Sequence, residues 1–273
     1  MANKSNFNEN TRVQIPAALH LVRLGYTYLS HIDDSDYHHA SNTLLQPLHD
    51  AVARLNPQLT PAQVSEKADE LLRTVHNTDL GREFYAMATS TSGTKYIDFD
   101  NPDNNTYHVT TEFTCQDERT GDNFRPDLTV FVNGLPLVFI EVKKPNNHQG
   151  ILAERDRINT RFRNPAFRTF FNATQFMIFS NNQEYNTDSQ VPISGAFYAT
   201  TSYKKAFFNV FREEDPALLT YCGYRPNVDE AVEMEVLRHL FNRNRSIRQS
   251  QPTQRQERRT TENQLKFKVE AGT

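Results

Sequence analysis

Phe124-Arg125-Pro126-Asp127-Leu128-Thr129-Val130-Phe131-Val132-Asn133-Gly134-Leu135-Pro136-Leu137-Val138-Phe139-Ile140-Glu141-Val142-Lys143-Lys144 holds two apolar, β-rich runs separated by Asn133-Gly134. Both central residues of a type I′ turn need positive φ, which Asn and Gly tolerate, so the pair predicts a tight hairpin. Leu128–Val132 and Leu137–Lys143 are therefore expected as adjacent antiparallel strands. Side chains alternate faces along a strand, which puts Glu141 and Lys143 on one face and Val138, Ile140 and Val142 on the other. Asp127, at the mouth of the first strand, can approach the same point.

Two charged groups on an otherwise apolar strand are costly to bury unless a partner neutralises them. Two carboxylates converging with a lysine suit a hard, oxygen-seeking divalent cation such as Mg2+. Such a cation polarises a phosphate oxygen and lowers the pKa of a bound water, while the lysine orients that water or offsets charge developing on the phosphate. That is the chemistry of phosphodiester hydrolysis. The bland alternative is a cross-strand ion pair at a solvent-facing strand end; the hairpin and the apolar flanks favour the metal site.

The run Arg125 to Pro145 resembles the PD-(D/E)xK nuclease core at the N-terminus of the restriction (R) subunit of type I restriction-modification enzymes, where a P-D segment, an N-G-L-P turn and an E-x-K strand follow in this order. The resemblance extends to Asn10-Thr11-Arg12-Val13-Gln14 through Leu24-Gly25-Tyr26, and to Ala173 through Asn182 after the core. It implies metal-binding acids at Asp127 and Glu141, the Val142 main-chain carbonyl as a further ligand, and a catalytic lysine at Lys143. It also implies an upstream polar group, for which Gln14 and Glu9 are the candidates. Many relatives carry Gln-x-x-x-Tyr on the following helix; here Glu154 to Arg161 offers Arg157 and Arg161 at that spacing instead, and with Lys144 these are expected to contact DNA phosphates. The implied cofactor is Mg2+, with Mn2+ able to substitute. The implied partners are double-stranded DNA and the methylase (M) and specificity (S) subunits of a type I complex. ATP would enter only through a motor outside this chain, since no G-x-x-x-x-G-K-S/T phosphate loop occurs in it.

Composition bounds the rest. The 273 residues are 37% hydrophobic and 23% charged with a net charge of −3, as for a globular protein that does not coat DNA by bulk electrostatics. Basic residues cluster locally, from Lys143 to Arg168 and again from Arg238 to Lys268. No apolar run approaches the roughly 20 residues that span a bilayer, and Met1 to Asn6 lacks the apolar core of a signal peptide, so no membrane and a cytoplasmic location are expected. Cys115 and Cys222 form no C-x-x-C pair and are expected as buried small hydrophobes. His38-His39, beside the acidic run Asp33 to Asp36, reads as a solvated loop rather than a ligand cluster.

Along the chain, Asn10 or Thr11 can cap a helix running to about Leu24, with Gly25 as terminator. A second helix is expected from Ser41 to about Leu55. Thr60-Pro61-Ala62-Gln63 opens a third through a capping box with proline at its first position. Strand patterns follow at Tyr107 to Thr114, Gln175 to Ser180 and Gly195 to Thr200, with a helix from Ile151 to about Phe162 and another from Pro226 to Asn242. Glu112 can add a carboxylate beside the hairpin. The aromatic cluster of Tyr198, Tyr203, Phe207, Phe208 and Phe211 reads as core rather than as a base-stacking platform. The expected fold is α/β, a central mixed β-sheet flanked by helices. Residues 1–245 form the endonuclease domain, with a helical part over 1–92 and a catalytic core over about 93–215; 246–273 is a linker or disordered tail.

The expected function is a metal-dependent DNA endonuclease domain that cuts after translocation. The alternatives are a catalytically silent DNA-binding or docking module of the same complex, and a stand-alone defence or repair nuclease.

Overall fold

The computed structural model describes residues 9–33, 35–116, 123–147, 149–184, 194–200 and 209–210. Its centre is the hairpin. Strand β7 (Leu128–Val132) pairs antiparallel with β8 (Leu135–Val142) through a turn in which Asn133 and Gly134 take φ of 50° and 81°. The left-handed pair is the geometry that fits the right-handed twist of the flanking strands. Asn133 is fully buried, and its side chain donates to the Tyr96 carbonyl and Asn105 Oδ1 and accepts from the Thr106 amide.

The hairpin lies inside a seven-stranded mixed sheet. Before it come β1 (Thr27–Tyr28), the two-residue pair β2 (Tyr37–His38) and β3 (Thr43–Leu44), then β4 (Tyr107–Thr111) and the second small pair β5 (Cys115–Gln116) and β6 (Asn123–Phe124). After it come β9 (Phe176–Ser180), β10 (Ala196–Thr200) and β11 (Asn209–Val210). The order is β1-β4-β7-β8-β9-β10-β11, parallel at β1/β4 and β8/β9 and antiparallel elsewhere.

Helices cover both faces. A π-type turn (Asn10–Gln14) leads into α1 (Ile15–Arg23), and together they lay Val13, Ile15, Ala18 and Val22 over Val109, Leu128, Val130, Ile140 and Val142. On the other face α5 (Gly150–Arg161) and α6 (Arg168–Ala173) pack Ile151, Ile158, Phe170 and Phe171 against Phe131, Phe139 and Phe179. Because α5 and α6 carry the chain from β8 to its parallel neighbour β9, the end of β8 opens directly onto α5. A third cluster gathers α2 (Leu45–Leu55), α3 (Pro61–Thr74) and α4 (Arg82–Ala88) beside the hairpin turn, where Leu48, Leu71 and Phe84 meet Leu135.

The α/β architecture expected from the sequence is the one observed, and several local expectations are refined. Thr60 makes the expected capping box, with Pro61 at the first turn. The second helix begins at Leu45 rather than Ser41, because Thr43–Leu44 pairs with Tyr37–His38 and Asn42 takes a positive φ of 57°. His38 thus lies in a strand, with Nδ1 2.7 Å from Ser41 Oγ. The first helix starts at Ile15 with no side-chain cap, since a π-type turn occupies Asn10–Gln14. β4 stops at Thr111, where Glu112 turns to a φ of 53°. The short α4 is an element the sequence pattern does not announce. Cys115 is buried as expected. Cys222, the 226–242 helix, the 246–273 tail and all of the aromatic cluster except Tyr198 lie outside the described residues.

Candidate active site

The two ends of the hairpin bring the acids together. Extending the β7/β8 register one step past Leu128↔Ile140 sets Asp127 opposite Glu141, close enough for the two carboxyl groups to act on each other electrostatically. Asp127 Oδ2 also accepts from the Val142 amide at 2.8 Å. The Asp127 carbonyl receives Gln14 Nε2 at 2.9 Å and the Glu112 amide at 3.0 Å. Gln14 therefore reaches the site as expected, though it acts on the main chain. Glu112 serves through its own amide, while its carboxylate stands 3.8 Å from Arg125.

Lys143 occupies the middle. Its Nζ donates to the Val142 carbonyl at 2.8 Å and lies 3.9 Å from Asp127 Oδ2, Glu141 Oε2 and Glu9 Oε1. A closer contact, 3.3 Å, is to Glu154 Oε2 on α5. Glu9 also accepts from the Lys144 amide at 3.1 Å, which ties the segment before the first turn to the end of the β7/β8 hairpin.

Glu154 is the residue that sequence reading missed. It is 1% exposed on the face of α5 that carries Ile151 and Ile158. Standing three residues after one core isoleucine and four before the next, the glutamate falls where a helix of this kind normally buries an apolar group. Arg157 stands 3.0 Å and Arg161 3.7 Å from its two oxygens. Arg161 also lies over the Phe124 ring, 4.4 Å from its centroid, the geometry of a cation–π contact. Arg157 is the more solvent-facing of the pair, and Lys144 is exposed at the strand end.

Electrostatics follow from this crowding. Burial, reinforced by the Asp127 and Glu154 charges, holds the Glu141 carboxyl well above its usual range. Burial likewise raises Asp127 and Glu9. Burial pulls Lys143 down, but Glu154, Asp127, Glu141 and Glu9 together outweigh it and leave the ammonium above its usual 10.5. Four acidic side chains face one ammonium and two guanidiniums, so the cluster carries a formal excess of one negative charge.

These residues fit a hard divalent cation. Glu141 Oε1 is buried with no hydrogen-bond partner, and its carboxyl group lies against that of Asp127. Among the described residues no set of three or more His, Cys, Asp or Glu side chains forms a metal cage. The donors at hand are two carboxylates and the Val142 carbonyl, which is what Mg2+ uses when it keeps several waters. Among the described residues no helix is long and apolar enough to cross a membrane.

A family model described as type I restriction enzyme R protein N terminus matches residues 6–192. A protein of Methanocaldococcus jannaschii, named as a candidate type I restriction enzyme MjaIXP endonuclease subunit, is 29% identical over 174 residues. The matched stretch covers 53% of this chain and 16% of that relative, so the chain spans a small part of the relative's length.

Proposed function

The chain belongs to the family of type I restriction enzyme R protein N termini, and from that premise we propose that it is a metal-dependent DNA endonuclease domain with a PD-(D/E)xK site. The observation that carries this reading is the convergence of Asp127, Glu141, the Val142 carbonyl and Lys143 at the open end of one hairpin.

In this reading Asp127 and Glu141 hold Mg2+ with the Val142 carbonyl, and Mn2+ substitutes because it shares the preference for oxygen. When bound, the cation polarises a phosphate oxygen and lowers the pKa of a bound water. Lys143, kept charged by its carboxylate neighbours, is placed to orient the attacking water and to offset charge developing on the phosphate. Gln14 and the Glu112 amide fix the Asp127 backbone, so the first acid is presented without reorganisation. Arg157, Arg161 and Lys144 draw the DNA backbone toward a site that is itself negative. The M and S subunits are the partners this reading expects, with ATP used by a motor elsewhere in the complex.

The test is phage restriction by the assembled type I complex whose R subunit carries Asp127→Ala, Glu141→Ala or Lys143→Ala. Each is expected to abolish restriction while ATP-driven translocation persists. Restriction at the parental level in the Asp127→Ala and Lys143→Ala enzymes would exclude catalysis at this site and favour a docking role.

A further inference from the structure

Lys143 Nζ sits among the oxygens that the proposed function assigns to a divalent cation. It donates to the Val142 carbonyl at 2.8 Å and stands 3.9 Å from both Asp127 Oδ2 and Glu141 Oε2. An ammonium and a divalent cation cannot share those donors, because like charges so close repel strongly in a partly buried site. Lys143 needs a second anchor if it is to stay at the site beside a cation.

Glu154 is built as that anchor. Its Oε2 lies 3.3 Å from Nζ, nearer than any other carboxylate, and approaches from α5 rather than from the hairpin. The carboxylate is buried between Ile151 and Ile158, and neither of its oxygens accepts a hydrogen bond of good geometry, which leaves lone pairs for an ammonium to claim. Arg157 and Arg161 fix it from the outside. A buried carboxylate with three cations around it and no hydrogen bond is costly for the fold unless it serves a purpose.

We propose that Glu154 is a positioning residue that draws Lys143 off the Val142 carbonyl, freeing the Asp127–Glu141 pair to take a divalent cation; this inference rests on the metal-site reading above. A carboxylate acting only as extra negative charge would favour a cation whether or not the lysine is present. An anchor for the lysine matters only while the lysine is there.

The experiment is a double-mutant cycle on the full 273-residue chain, reading Mn2+ affinity from the electron paramagnetic resonance signal of the free ion. Lys143→Met is expected to tighten Mn2+ binding by roughly tenfold or more, since it removes a competing unit charge a few ångströms away. Glu154→Gln is expected to weaken binding by about tenfold in the parent and by clearly less in the Lys143→Met background, where only the loss of its charge remains, the non-additivity that marks coupled neighbours. Equal weakening in both backgrounds, or no weakening in the parent, would overturn the inference. Circular dichroism and metal-free melting confirm that each variant folds. If Glu154→Gln does not fold, Glu154→Asp takes its place, a shorter acid expected to weaken binding only while the lysine is present. Failure of the underlying reading shows separately: parent and Asp127→Ala binding Mn2+ alike removes the metal site and this inference with it, whereas loss of binding in Asp127→Ala with an additive cycle removes the inference alone.

Discussion

The Val142 amide donates to Asp127 Oδ2 at 2.8 Å across the open end of the hairpin. Main-chain pairing between β7 and β8 stops at Leu128 and Ile140, so the Asp127 carboxylate replaces the next ladder acceptor. One oxygen of the first acid is thereby pinned to the strand that delivers Glu141 and whose Val142 carbonyl receives Lys143. The same aspartate is held through its carbonyl by Gln14 and by the Glu112 amide. Contacts from the first turn, from the end of β4 and from β8 thus converge on one residue. A ligand fixed in this way loses little freedom when it binds, which is how preorganisation raises affinity.

The crowding of acids makes stability depend on pH in a defined direction. Burial and neighbouring acids raise Glu141 well above its ordinary 4.5, and burial raises Asp127 above 3.8. As pH rises the unfolded chain loses these protons first, so between the ordinary values and the raised folded ones the folded state binds more protons and stability falls. Lys143, raised above 10.5, contributes stability that is lost only at still higher pH and leaves the acidic window untouched. Without divalent metal, the melting temperature is expected to decline as pH rises above the ordinary carboxylate range toward the raised folded values, and Glu141→Gln is expected to flatten that decline. A parent curve as flat as that of the variant would exclude the effect.

Asp127→Asn should separate the structural role of this residue from its proposed metal-ligating role. An amide oxygen can still accept from Val142, while the repulsion from Glu141 disappears, so the metal-free protein is expected to melt no lower than the parent. The rise with Mg2+ or Mn2+, about 2.7 kcal/mol at a hundredfold excess over Kd by mass action, is expected in the parent and not in the variant. Differential scanning calorimetry at saturating and zero metal checks both halves.

The hairpin and its acids were legible because their signals are local. Asn133-Gly134 dictates a turn and period-two alternation sorts the faces, so Asp127, Glu141 and Lys143 followed from a single stretch. Glu9 and Gln14 came only with the family resemblance, since nothing in periodicity says that a segment more than a hundred residues upstream returns to the same point. Glu154 was hidden for a different reason. It sits within a charged run, Glu154-Arg155-Asp156-Arg157, that reads as a solvated helix face, and only its spacing from Ile151 and Ile158 marks it as inward-facing. The start of α2 is not fixed locally, because Ser41, Asn42 and Thr43 suit a helix cap as well as a turn, and a tertiary pairing with Tyr37 and His38 takes Thr43 and Leu44 into a strand.

Arg157→Ala tests the proposed phosphate contacts with less disturbance than Arg161→Ala, although it also removes a 3.0 Å ion pair to Glu154. Arg157 is largely exposed, whereas Arg161 also stacks on the buried Phe124 ring, so its removal would disturb packing as well as charge. Binding to a DNA duplex is expected to weaken for every sequence alike, and the slope of log K against log salt to become shallower by about 0.9 for each phosphate that is no longer neutralised. Fluorescence anisotropy over a salt series reads both; a slope equal to that of the parent would remove Arg157 from the DNA interface.

Gly134→Ala should destabilise the whole protein rather than the turn alone. At a φ of 81° an added Cβ is strained by backbone conformation, and it would also run into the Leu44 carbonyl and the Leu48 amide, where α2 begins. Neither obstacle can yield cheaply, because both are main-chain atoms and the Leu44 amide donates to the Gly134 carbonyl at 2.9 Å. Left-handed strain at a non-glycine residue costs on the order of 1 kcal/mol and a forced backbone shift about 1–3 kcal/mol more. Urea unfolding is expected to show a drop in stability of roughly 2–4 kcal/mol with an unchanged m-value. Since the turn fixes the β7/β8 register, and the register sets Asp127 opposite Glu141, Mn2+ affinity is expected to fall with it. Unchanged stability would mean that the hairpin turn is not seated against α2 as the structure shows.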